Sequence, residues 1–128
     1  MKNGLIKIES FLLLDRIAEK HRVKDKDWAP LAGLAHGSRI SELRACAQKR
    51  RIVEDRAFHF QKFIALKRAL ESILGEKIVR KELSDLLDKA TDRDEKLVLL
   101  ASLVPEDRKQ QAIEYLELIV QATEKEKE

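Results

Sequence analysis

An all-α chain is what this sequence predicts, on three observations. Helix breakers are scarce: the 128 residues include only four glycines and two prolines. Aliphatic residues recur at three- and four-residue spacing through most of the chain, while β-branched runs are few. Charged residues make up 38% and aromatics 5%, against 44% apolar content, which suffices for one compact domain or a small domain with an appendage.

The elements follow in order. Ser10 is placed to cap a first helix running to about His21, with Phe11, Leu14, Ile17 and Ala18 on one face. Asp27 can cap a second, brief helix that carries Trp28 and Ala29, holds Pro30 in its first turn and ends near Gly33. Trp28 reads as a core anchor. Ser38 then caps a third helix with Ile40, Leu43 and Ala47 buried and the cations Lys49, Arg50 and Arg51 at its negative end. A long fourth helix is expected from Asp55 to Leu74, stopped by Gly75, and a fifth over about Val79–Lys89. Asp92 and Glu95 have capping-box spacing for a sixth, which Pro105 breaks. The last helix, about Glu106 to Thr123, carries a stripe of Ile113, Leu116, Val120 and Thr123, widened by Tyr115, Leu118 and Ile119, ahead of a frayed charged tail.

Charge is segregated. Residues 1–75 hold 16 basic and 9 acidic side chains (+7), and residues 76–128 hold 10 and 14 (−4), so the first part is suited to meeting a polyanion. Cys46 is the only cysteine, which excludes an intramolecular disulfide and fits a reducing compartment. Phe11–Leu14 is too short to span a bilayer, and a cytoplasmic protein without membrane partners is expected. His21, His36 and His59 lack metal-ligand spacing, and neither a phosphate loop nor a nucleophile motif is present. No metal, cofactor or enzymatic activity is expected.

Two short helices joined by a tight glycine-containing turn, the second exposing polar and basic residues, is what reading a DNA groove requires. Ala29, Leu31, Ala32, Ile40 and Leu43 are suited to lock the two helices together. The stretch from Trp28 to Leu43 resembles the λ-repressor/Cro-like (XRE-type) helix-turn-helix family. The resemblance rests on Ala29, on Gly33 four residues later, on Leu34, and on the Ile40-Ser41-x-Leu43 group, with Phe63–Leu70 and Leu74-Gly75 like the family's core helix. It covers about residues 10–75. Ile40 stands seven residues after Gly33, one more than the family's usual spacing, and Gly37 can accommodate the extra turn residue.

That resemblance implies a λ-repressor-like domain over 1–75, to which the apolar periodicity adds a connecting helix over 76–91 and a helical hairpin over 92–128. It implies a sequence-specific regulator of transcription, expected to repress, reading the major groove of double-stranded DNA. His36, Ser38, Arg39, Ser41, Glu42 and Arg44 would face bases. Lys26, Lys49, Arg50 and Arg51 would face phosphates. Arg39 and Glu42 also stand at the spacing of an ordinary ion pair on one helix face. Because one such domain reads only a half-site, a homodimer through Ile113, Leu116, Ile119 and Val120 is expected. The alternative is a helical protein-interaction module such as an antitoxin or adaptor.

Overall fold

The computed structural model describes residues 5–48 and 58–127, and among these the chain is all-α. The helices are α1 (Phe11–Lys20), α2 (Asp25–Leu31), α3 (Gly37–Ala47), α4 (Phe60–Leu74), α5 (Glu76–Lys89), α6 (Arg93–Leu103) and α7 (Lys109–Lys127). Short 3-10 turns precede α1 (Ile8–Ser10) and α7 (Glu106–Arg108). No described helix is long and apolar enough to cross a membrane.

Several boundaries depart from the sequence reading. Ser10 makes no side-chain cap bond, because it closes the preceding 3-10 turn and already has helical dihedrals. α2 begins at Asp25, with Lys24 in the capping position in place of Asp27, which puts Pro30 sixth in the helix and deprives the Lys26 carbonyl of its intrahelical donor. α3 begins at Gly37, with His36 in the capping position in place of Ser38. Phe58 and His59 are not helical. They form a two-residue strand, β2, antiparallel to β1 (Leu5–Ile6), with Leu5 opposite His59 and Ile6 opposite Phe58. α5 opens at Glu76, directly after Gly75, and α7 runs on past Thr123. The Asp92 cap is as expected: its Oδ1 accepts from the Asp94 amide at 2.8 Å.

One core runs through α1 to α6. Phe11, Leu14 and Ile17 of α1 meet Trp28 of α2, Ile40 and Leu43 of α3, and Phe63, Leu66 and Leu70 of α4. Val79 and Leu83 of α5 and Val98 and Leu99 of α6 continue the same cluster, so the core does not stop at residue 75. Trp28 and Phe11 are both fully buried and stack with ring centroids 5.7 Å apart. The Trp28 indole N–H donates to the Leu66 carbonyl at 2.9 Å, which satisfies the one polar atom that burial would strand. At the surface Glu82 of α5 accepts from Lys20 Nζ at 2.8 Å and lies 3.3 Å from His21 Nε2, tying α5 to the end of α1. The Lys20 hydrogen bond holds the Glu82 carboxyl below its ordinary value against the opposing effect of burial.

α7 stands apart. It makes few contacts with α1–α6, and none of its described side chains is buried. Between it and α6 lies an apolar groove of about 290 Å³ lined by Leu97, Leu100, Val104, Ile113, Tyr115 and Leu116, among others.

Because Phe11 packs on Trp28 at the centre of the core, Phe11→Ala should cost about 3–5 kcal/mol. Trp28 is the only tryptophan, so its fluorescence in a urea titration reports the loss directly.

Candidate nucleic-acid interface

α2 and α3 pack on each other more extensively than any other pair of elements. Their turn is built from two backbone features. α2 ends in a Schellman motif, in which the Leu34 amide donates to the Ala29 carbonyl at 2.9 Å and the Gly33 amide to the Pro30 carbonyl at 3.1 Å. Gly33 takes φ +81°, which a side chain would strain. At Gly37 the reason is proximity: a Cβ there would sit 3.0 Å from the Lys26 backbone nitrogen and 3.2 Å from the Asp25 carbonyl carbon. The start of α3 therefore rests directly on the first turn of α2.

The lock between the two helices is formed by Ala29, Ile40 and Leu43, all buried, with Ala32 partly covered. Leu31 does not take part. It lies 57% exposed, because Trp28 and Ala29 set the buried face of α2 and Leu31, two residues beyond Ala29, points away from that face.

The residues expected at bases divide into two groups. His36, Ser38, Arg39 and Ser41 are exposed at the N-terminal end of α3, and Glu42 is partly covered beside them. Arg39 Nη1 approaches Glu42 Oε2 at 3.4 Å across one turn, a weak surface pair that solvent screens. Arg44 is placed otherwise. Its Nε and Nη2 donate to the two carboxylate oxygens of Asp15 at 2.9 and 2.8 Å, and its Nη1 and Nη2 to those of Asp25 at 3.1 and 2.9 Å. The hydrogen bonds it donates to Asp15 and then to Asp25 push its pKa further above the ordinary value, with burial opposing. Four of its five N–H donors are thus used inside the fold. Arg44 joins α3 to α1 and α2 instead of facing outward. Ser41 Oγ adds a 3.2 Å bond to Asp25, so one carboxylate orients both α3 residues.

Asp15 and Asp25 are the residues that sequence reasoning missed. A signal existed for the first: Asp15 directly follows the apolar run Phe11–Leu14, and an acid with a side chain 9% exposed requires a partner. Among the phosphate candidates Lys26 is exposed on α2, whereas Lys49, Arg50 and Arg51 lie outside the described residues. Among the described residues no three His, Cys, Asp or Glu side chains gather where they could hold a metal ion. Of the expected dimer residues, Ile113 and Ile119 are exposed, Leu116 is partly covered by the groove, and the side chain of Val120 lies outside the description.

Comparison of the chain with family models, curated proteins and solved structures returned no match.

Arg44→Met leaves Asp15 unpaired in a nearly closed site, and a stability loss of about 2–4 kcal/mol is expected by urea unfolding. Adding Asp15→Leu should recover most of it, since an apolar pair of similar bulk needs no counter-charge. Wild-type stability in Arg44→Met would show that the network carries no weight.

Proposed function

We propose that this chain is a sequence-specific double-stranded DNA-binding regulator of transcription that inserts the N-terminal half of α3 into the major groove. One observation carries the reading. A short helix pair is locked by buried small and aliphatic residues, and the second helix presents Ser38, Arg39 and Ser41 to solvent at its N-terminal end. That end of a recognition helix is the part that meets base edges. The basic balance of residues 1–75 supplies the sequence-independent attraction. Arg39 is the residue best placed to grip guanine, because its pairing with Glu42 is exposed and costs little to break. Arg44 is reassigned in this reading from base contact to holding α3 in place.

Selection of binding sites from a random duplex library with the purified protein tests the proposal. Arg39→Ala should relax preference at one base pair by about 1–3 kcal/mol, whereas Arg44→Met should change stability more than preference. A protein that selects no site, and whose duplex binding does not depend on salt, would refute the reading.

The reading includes a homodimer, because two linked half-sites bind far better than one. The support is an apolar surface left open among the described residues: Leu97 and Leu100 of α6 with Ile113, Tyr115 and Leu118 of α7 are all at least 41% exposed. A second copy brings the same surface, and a two-fold pairing of the two hairpins buries both. Ile113→Asp with Ile119→Asp should yield a folded monomer by sedimentation velocity, with half-site and full-site duplexes bound about equally. A wild-type chain that is monomeric at ~10 µM would overturn the dimer.

A further inference from the structure

The exposed end of α3 carries two serines whose hydroxyls are not equivalent. Ser38 and Ser41 stand one helical turn apart, and both are exposed. Among the described residues the Ser38 hydroxyl has no partner inside the fold, so it can turn either to donate or to accept. Ser41 has no such choice. Its Oγ donates to Asp25 Oδ2 at 3.2 Å. A carboxylate has no proton to offer in return, so the hydroxyl must be the donor in that bond.

Asp25 is itself held in place. Arg44 donates to both of its oxygens, Nη2 to Oδ1 at 2.9 Å and Nη1 to Oδ2 at 3.1 Å. Asp15 holds Arg44 in turn through two more bonds, at 2.9 and 2.8 Å. The carboxylate cannot swing away from Ser41 without disturbing a network that ties α1, α2 and α3 together. A hydroxyl has one proton and two lone pairs. With the proton committed inward, Ser41 presents only an acceptor to solvent, and its bond to the carboxylate polarises that oxygen further. In the major groove the exocyclic amines, adenine N6 and cytosine N4, donate, whereas guanine O6 and thymine O4 accept. Phosphate oxygens also accept, so a phosphate is no better a match for Ser41.

We infer that Ser41 reads an exocyclic amine, adenine N6 or cytosine N4, because Asp25 has committed its only side-chain proton inside the fold. The inference rests on the DNA-binding reading and gives the recognised site one position that takes an amino base on the strand Ser41 faces. A keto base there would set two acceptors against each other, unless the charge-assisted bond to Asp25 were given up. Ser38 carries no such restriction. Asp25 is the positioning residue, since it sets the polarity of a contact that it does not itself make.

The probe is the duplex that the full chain selects from a random library, together with single-base analogues of it. Ser41→Ala marks the base pair concerned as the one at which selection changes. Purine in place of adenine, or 2-pyrimidinone in place of cytosine, then deletes the exocyclic amine at that pair. The deletion should weaken wild type about three- to tenfold more than Ser41→Ala, which has no acceptor left to miss the amine. Ser38→Ala should show the full wild-type loss. Reversing the pair puts a keto oxygen in place of the amine, and Asp25→Ala, whose Ser41 proton is released, should tolerate this at least about threefold better than wild type. Far-UV circular dichroism checks that Asp25→Ala folds; should it not, the amine deletions with Ser41→Ala decide alone. Equal losses in wild type and Ser41→Ala on amine deletion overturn the inference and leave the DNA-binding reading standing. So does a Ser41→Ala variant that selects an unchanged site, or one whose difference from wild type follows deletion of the keto oxygen. A chain that selects no duplex at all overturns both.

Discussion

Trp28 is fully buried where α1, α2 and α4 meet, and the placement of α2 follows from it. Its ring stacks on Phe11 of α1, while its one polar atom reaches a carbonyl in the middle of α4. A buried indole with an unmet N–H would oppose folding, so the hydrogen bond sets the orientation of the ring as well as its depth. α2 has only seven residues and is too short to be stable alone, so it is held by this anchor and by α3 rather than by its own propensity. Everything at the α2–α3 turn inherits that position.

The orientation of α3 depends on a different kind of contact. Small apolar residues let it approach α2 closely, but such residues specify rotation weakly. The bidentate grip of Arg44 on Asp15 and Asp25 is directional, and it fixes which face of α3 turns outward. Ser38, Arg39 and Ser41 are exposed because Arg44 and Ile40 are not. A structural arginine thereby positions the residues proposed to recognise bases.

The C-terminal half follows another economy. α6 ends against Pro105, and the cations that satisfy its carbonyls come from α4 and α5. The core closes there, with Ser102 fully buried and its hydroxyl donating to the Leu99 carbonyl at 2.8 Å. α7 begins beyond that closure. Among the described residues, most of the exposed large apolar side chains accordingly lie on α7 and on the face of α6 that lines the groove beside it.

Composition and periodicity alone determined the helical class, the order of the helices, the stops at Gly33, Gly75 and Pro105, the Asp92 cap and most of the core, including Trp28 and Ile40. Those features are local, set by backbone freedom, missing amides and the repeat of apolar residues along one face. The tertiary structure decided what depends on partners far apart in the chain. Phe58 and His59 are extended because Leu5 and Ile6 lie beside them, although their own neighbours read as helix. Leu31 faces solvent because Trp28 and Ala29 turn the opposite face of α2 into the core. Arg44 is inside because Asp15, 29 residues away, is buried and must be neutralised. A basic residue on a polar helix face looks the same in sequence whether it meets solvent, DNA or a distant carboxylate, since only the fold brings the counter-charge within reach.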